Sequence, residues 1–509
     1  MQGSCRNDSR CVDQAMASGR RGSEGRAARE PTGAAFNVKG DEMETSKEST
    51  STHATDAIQL HLGRYAQAMN HDDLPHAVVH AATALVIDTL GVLIAAYPYE
   101  PCRISRTLAE RSPCIDGATI VGSSLRTSVE LAAFVNATTA RYAEANDVYA
   151  RYLPGHMHGH PSDVILPLLA VAERERASGR AFLASVVLAY EVYLWLCDES
   201  ASGGFDPATF GCLGVAMGAG HLLGFDKARM RHCIAMAAVP NNMLKQVRAD
   251  QLTPWKAVAA GHAGRAGVFA AELAQAGMPG PNLPFEGRSG WCAHVAGRPI
   301  TPDTLSTGTY RILGARMKPR PARALTIPAI QAAERVRLPG NGIRDVARVT
   351  VEVHRQAADG THAEHWHPDS RETADHSIPF GVATALLHGQ VTVHSFDDAR
   401  LRDPQVLGIM QKMEIAANDE FTAAFSGHPQ HYCARVTVAM TDGTRVSAES
   451  GRDDEDLALP KSDTWVSAKF RGMAEEAFGR PRSDALLERL WRLADETNVA
   501  ELPPAFALD

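Results

Sequence analysis

Ala145-Asn146-Asp147-Val148-Tyr149-Ala150-Arg151-Tyr152-Leu153-Pro154-Gly155-His156-Met157-His158-Gly159-His160-Pro161 is the stretch whose reading decides the fold. It carries one carboxylate, Asp147, and three histidines at alternate positions, His156, His158 and His160. Alternate histidines on a strand would suit a metal site. Pro154, Gly155 and Gly159 instead predict a loop, and both flanks are helical in pattern. A barrel built to hold an HxH metal site needs strands alternating with helices, and the segments around this stretch lack them. The expected setting is a loop dense in titratable groups on a helical scaffold, where chemistry commonly sits.

Working outward, Ser128 to about Ala143 reads as a helix before the loop, and Ile165–Ala177 and Phe182–Leu196 as helices after it. Upstream, Ile58, Leu62, Tyr65 and Met69 fall at i, i+4, i+7 and i+11, one helical face, and Val78–Ala96 is a longer apolar helix. Ala208–Leu223 holds Gly211, Gly214, Gly218 and Gly220. It follows no strand and lacks the GxGxxG spacing, so close helix packing is expected rather than a dinucleotide site. Asp226 caps a helix to Ala238, and Thr253-Pro254 opens another from Trp255 to Gln275.

The texture changes after about residue 310. Val349, Val351 and Val353 alternate with polar residues as a half-buried strand, and Val436, Val438 and Met440 lead through Asp442-Gly443 to Val446 as a hairpin. Thr373–Leu387 reads as helix despite Pro379, and Thr464–Phe478 and Asp484–Asp495 return to amphipathic helix. The expected fold is mainly α: a disordered extension over 1–54, a helical domain over 55–310, an inserted α+β lid over 311–455, and C-terminal helices over 456–509 that rejoin the first domain. A start at Met43 explains the extension equally well.

Composition narrows the function. With 45% apolar and 22% charged residues in 509, the chain has the makings of a large buried core. A net charge of -8 argues against nucleic acid as a partner. Nine scattered cysteines without a CxxC offer neither a disulfide framework nor clustered thiolates, so a reducing cytoplasm is the natural setting. No apolar run is expected to span a bilayer.

Three readings of the loop stay open on the residues alone: metal ligands, exposed surface histidines (the better one for His156), or acid–base catalysis by a carboxylate and an imidazole. His160 precedes Pro161 at an expected helix start, where free N–H groups favour an anion. Lys256 lies in the first turn of its helix, where a cation gains nothing from the helix dipole, a misfit consistent with carboxylate binding. Lys318, Arg320 and Arg323 form a basic cluster that is either a solvated turn or an anion clamp. His362 to His376, with Arg371 and Glu372, is polar for its position.

These residues resemble the MmgE/PrpD family. The matches run in the family's order: Asp73-Leu74-Pro75, Ile87-Asp88-Thr89-Leu90-Gly91, Asn146-Asp147, His160-Pro161-Ser162-Asp163, Ala189-Tyr190-Glu191, Trp255-Lys256, Val268-Phe269-Ala270-Ala271, Gly277-Met278, Pro284-Phe285-Glu286-Gly287, Arg371 to Pro379, and Lys469-Phe470. The resemblance covers roughly residues 56 to 480. It implies a helical domain closed by an α+β lid, usually in a homodimer, and lyase or isomerase chemistry on small polycarboxylates with neither metal nor cofactor. By the same resemblance Asp147, His160 and His158 are the expected catalytic groups, and Lys256, Lys318, Arg371 and His376 the expected carboxylate-binding ones. Trp255-Lys256 and Phe285 to Arg288 resemble the branch that dehydrates 2-methylcitrate. The chain departs from the family at Leu325-Thr326-Ile327, where a histidine is frequent, at Phe380, where tyrosine is common, and at Gly204-Phe205-Asp206, where the decarboxylases carry Gly-Phe-His. The expectation is a metal-independent hydro-lyase on a 2-methylcitrate-like acid. An epimerase or decarboxylase of a related acid, or a silent carboxylate-binding member, is the alternative.

Overall fold

The computed structural model describes residues 55–149, 157–201, 203–340 and 342–508; the expected N-terminal extension and His156 lie outside them. Among the described residues, nine α-helices run through the first half: α1 (Ala57–Ala68), α2 (His76–Ala96), α3 (Glu100–Ala109), α4 (Val129–Tyr142), α5 (Ile165–Arg174), α6 (Gly179–Glu199), α7 (Ala208–Leu222), α8 (Lys227–Ala238) and α9 (Trp255–Gln275). Asp56 caps α1 by accepting from the Gln59 N–H, and Asp226 caps α8 by accepting from that of Arg229. Contrary to the sequence expectation, α2 and α6 are each long and apolar enough to cross a bilayer, but most of each apolar stretch is buried against other helices. They are the centre of the core, as a helix apolar on all sides must be.

Small residues set the packing distances. A Cβ at Gly214 or Gly218 of α7 would stand 2.8 or 3.0 Å from a carbonyl oxygen of α6, and one at Gly261 of α9 would meet Thr138 Oγ1 of α4 at 2.0 Å. The glycine-rich α7 is therefore a packing face. The C-terminal helix Asp463–Trp491 lies on α2, with Phe470 seated where Gly91 has no side chain, and it kinks at Gly479, whose φ is +69°.

Strands are few. β1 (Pro113–Thr119) pairs with β2 (Arg126–Thr127), and β3 (Asp147–Tyr149) pairs antiparallel with β4 (Ala315–Met317), setting Asp147 opposite Met317. The remaining four, β5 (Val346–Val353), β6 (Met413–Ala417), β7 (Ala434–Met440) and β8 (Arg445–Ser450), form one sheet in the order β6-β5-β7-β8. β6 runs parallel to β5, and the other neighbours are antiparallel. Val349, Val351 and Val353 point into a core that also holds Val436 and Val438 of β7 and the helix Ile327–Arg335. A second, larger core draws on residues from Ile58 to Ile312 and again from Val466 to Phe506.

One continuous helix over 373–387 is not observed. Arg371–Ala374 ends at Asp375, and a new helix, Ile378–His388, starts with Ser377 as its cap, its Oγ accepting from the Phe380 N–H at 3.0 Å. Pro379 then falls in the first turn, where no N–H is needed. The break leaves Asp375 and His376 between the two helices.

The close approach of α4 and α9 gives a direct test. Gly261→Ala should destabilise the protein by about 1–3 kcal/mol through overpacking, read as a lower urea midpoint with an unchanged slope.

Candidate active site

α4 is mostly buried and ends in a turn where Arg141 is followed by Glu144, and both side chains are fully enclosed. Glu144 has φ +55°, a left-handed conformation that costs a non-glycine residue of order 1 kcal/mol. The turn aims its carboxylate at three cations. Arg141 Nη1 donates to Oε2 at 2.7 Å, Lys256 Nζ lies 3.1 Å from Oε2, and Lys318 Nζ donates to Oε1 at 2.5 Å and to the Glu144 carbonyl at 3.1 Å. Each cation arrives by a separate route: the end of α4, the first turn of α9, and the residue following β4. Burial alone would raise the Glu144 pKa, but Arg141, Lys256 and Lys318 together hold it well below the usual carboxylate range. Burial lowers that of Lys318 to about 8, opposed by Glu144.

Lys256 Nζ also donates to both oxygens of Asp375, at 2.9 and 3.1 Å, and Asp375 accepts from His376 Nδ1 at 2.5 Å. One ligand atom each of Glu144, Asp375 and His376 lies within 4.8 Å of the others, a spacing that could hold a metal ion. The Lys256 ammonium bridges both carboxylates, so the cation position between them is already filled.

His160 stands above this cluster. Its Nδ1 is 3.0 Å from the Asp147 carbonyl oxygen, and its backbone N–H donates to the Tyr193 hydroxyl. A carbonyl only accepts, so Nδ1 carries the proton and Nε2 keeps its lone pair, 4.0 Å from Glu144 Oε1. Burial, then Arg141 and Lys318, hold the His160 pKa well below 6.5. Burial and Lys256 bring His376 to about 4 although Asp375 opposes them. Both imidazoles are therefore neutral near pH 7, each with Nδ1 engaged.

Both line a cavity of about 600 Å³, together with His158, His362, His365, Glu144, Asp206, Lys245, Arg248 and Arg323. Two larger clefts, around Trp465 and around Tyr432, gather no comparable set of imidazole and guanidinium groups. Of the residues singled out from sequence, His160, His158, His362, His376 and Arg323 line the cavity, with His158 exposed. Lys256 and Lys318 lie beneath it, bound to Glu144. Asp147 and Arg371 stand apart. The Asp147 carboxylate accepts from the Ser162 N–H and the Tyr190 hydroxyl, both at 3.0 Å, and burial raises its pKa to about 6. Arg371 donates to Asp397 and lies 4.4 Å from the centre of the Tyr99 ring.

Glu144, Lys245 and Arg248 were not picked out from sequence, and Asp375 stood out only as part of the polar segment ending at His376. Arg141 and Glu144, three residues apart at the end of a helix whose one other charged residue is Glu130, were a readable signal, because a buried charge pair needs partners. Lys245 and Arg248 before Thr253-Pro254 were a weaker one.

Neutralising Glu144 removes the main counter-charge of the buried Arg141 and Lys318, while Lys256 keeps Asp375, so Glu144→Gln should cost about 3–5 kcal/mol in urea unfolding. Asp147→Asn should behave oppositely. The folded pKa of Asp147 lies above its ordinary 3.8, so its ionisation costs stability as pH rises from there to about 6. The Asn variant should therefore gain on the native protein across that window, measured as the difference in unfolding free energy at each pH.

Comparison with known proteins identifies the relatives of the chain. Residues 60–302 match the MmgE/PrpD N-terminal domain and residues 321–493 the MmgE/PrpD C-terminal domain. The chain is 24% identical over 448 residues to the cis-aconitate decarboxylase of Homo sapiens, covering 83% of this chain and 89% of that protein. It is 22% identical over 408 residues to the 2-methylcitrate dehydratase of Escherichia coli (strain K12), covering 74% and 81%. It is 23% identical over 391 residues to the mitochondrial 2-methylcitrate dehydratase of Yarrowia lipolytica, covering 72% and 74%. With both halves matched in order, the chain belongs to the MmgE/PrpD family.

Proposed function

We propose that the protein is a lyase that removes water from a small hydroxy-polycarboxylate of the 2-methylcitrate type by acid–base chemistry without a metal. The observation that carries this reading is His160: a neutral imidazole on the cavity wall, its Nδ1 committed to a carbonyl and its Nε2 lone pair available. Relatives named 2-methylcitrate dehydratase and cis-aconitate decarboxylase, both named for small tricarboxylates, support the substrate class.

In this mechanism Lys245, Arg248 and Arg323 hold substrate carboxylates against the wall. His160 Nε2 takes the proton from the carbon beside a carboxylate, and the electron pair moves into the adjacent carboxylate. The imidazolium so formed is stabilised by the Glu144 charge 4.0 Å away. When the carbanion collapses to a double bond, the hydroxyl on the neighbouring carbon departs with that proton as water. His160 is then neutral again, and the substrate has lost one proton and one hydroxide. Asp147 holds the ring through its backbone carbonyl, which makes it a positioning residue for the base. Lys256, placed between Glu144 and Asp375, pairs with both carboxylates.

A second reading is favoured by one feature. His160 and His376 both line the cavity as neutral imidazoles with Nδ1 engaged. A pair of bases on two sides of one carbon suits an epimerase, which removes a proton on one side and returns it on the other.

Chelator-treated protein incubated with 2-methylcitrate should give the rising absorbance of a new C=C bond, and His160→Ala should slow it by roughly 10²-fold or more. Loss of optical rotation with no absorbance change would select the epimerase. No turnover of 2-methylcitrate, citrate or related hydroxy acids would sink both.

A further inference from the structure

Asp206 has no part in the proton chemistry just described, yet it is a fully buried carboxylate on the cavity wall. Its Oδ2 pairs with Arg248 Nε, and its Oδ1 accepts from the Ala208 N–H at 3.0 Å, at the N-terminus of α7. Arg248 Nη2 reaches Oδ1 at 3.5 Å. The backbones are joined as well. The Asp206 N–H donates to the Met243 carbonyl at 2.8 Å, the Lys245 N–H donates to the Gly204 carbonyl at 2.8 Å, and Phe205 and Leu244 form a β-bridge. Thr209 Oγ1 accepts from the Met243 N–H at 2.9 Å. The segment carrying Lys245 and Arg248 is thus fastened along its length to the segment that starts α7.

The consequence falls on the guanidinium. Its Nε edge is committed to Asp206, and among the described residues Nη1 carries no hydrogen bond. Arg248 is also largely removed from water, its side chain 17% exposed, on the same cavity wall as Lys245 and Arg323. A planar guanidinium held along one edge presents its remaining N–H groups in a fixed direction, the condition for geometric recognition of a carboxylate. An arginine without that tether would supply charge but little direction.

We infer that Arg248, positioned by Asp206, is the receptor for a substrate carboxylate remote from the carbon that loses its proton, and that this pair makes the site prefer tricarboxylates over dicarboxylates. The inference rests on the polycarboxylate reading and specifies which residue counts the carboxylates. Arg248 touches the substrate; Asp206 acts through Arg248 as a positioning residue.

The test compares two acids that lack the leaving hydroxyl, tricarballylate and succinate, by calorimetric titration of the whole protein, so that no turnover is needed. The native protein should prefer tricarballylate. Arg248→Gln should weaken tricarballylate by roughly tenfold or more and succinate by less than about threefold. Arg248→Lys, which keeps the charge but not the fork, should fall between. Asp206→Asn should lose the preference as Arg248→Gln does. Should Asp206→Asn fail to fold, Arg248→Gln with an unchanged melting temperature carries the test alone. A preference that survives in Arg248→Gln, or an equal loss for both acids, overturns the inference and leaves the polycarboxylate reading standing. Binding of neither acid by the native protein overturns both.

Discussion

Glu144 is a single buried charge on which four separate parts of the chain converge. Arg141 belongs to α4, Lys256 to α9, Lys318 follows β4, and Asp375, joined through Lys256, sits between two short helices beyond the β5 strand. Removing these charges from water costs several kcal/mol each, and a lone pair of them often repays little. A set in which the carboxylates bridge several cations offsets that cost, and it does so only in one arrangement. The left-handed φ of Glu144 fits this view: strain of about 1 kcal/mol persists where surrounding contacts over-determine the conformation. The three-residue pairing of β3 with β4 supplies the register, because Asp147 opposite Met317 brings Lys318 beside the end of α4.

The cluster shapes the chemistry above it. Burial, together with Arg141 and Lys318 beside His160 and Lys256 beside His376, disfavours the protonated rings, so both imidazoles stay neutral where a base is wanted. Once His160 has taken a proton, Glu144 is the nearest compensating charge. The same carboxylate that holds the fold together would then stabilise the charged intermediate state, and structural and catalytic demands on Glu144 are not separable by simple removal. The three histidines of the 145–161 loop divide accordingly. His160 is built into the wall, His158 faces solvent at the cavity, and His156 lies outside the described residues.

Much of the helical scaffold was legible because long apolar segments with capping residues have a distinct period: Asp56, Asp226 and Ser178 each accept a backbone N–H at a helix start. The alternation at Val349–Val353 and the Asp442-Gly443 turn marked three of the four sheet strands, β5 and the hairpin of β7 and β8. β6 was not read, since it is a five-residue edge strand whose only core-packed side chains, Met413 and Ile415, are partly buried and too few to make the period stand out. β3 and β4 are three residues each, too short for any periodic signal, although they set the register of the site. Among the functional candidates, the histidines stood out by residue type. Glu144 did not, because its importance comes from the lysines that long-range folding brings to it. Arg371 misled for the same reason: an arginine beside a polar run looks available for substrate, and only the fold shows it set among Tyr99, Tyr142 and Phe396.

If proton transfer by His160 Nε2 is the centre of the chemistry, solvent hydrogen must reach substrate carbon only through that ring. The direct measurement is proton NMR of 2-methylcitrate in D2O with chelator-treated protein, following loss of the signal from the hydrogen beside the carboxylate and the appearance of any alkene product. The native protein should exchange or eliminate that hydrogen, and His160→Gln should do so roughly 10²-fold more slowly while keeping its melting temperature. Undiminished loss of the signal in His160→Gln would contradict the assignment of the base.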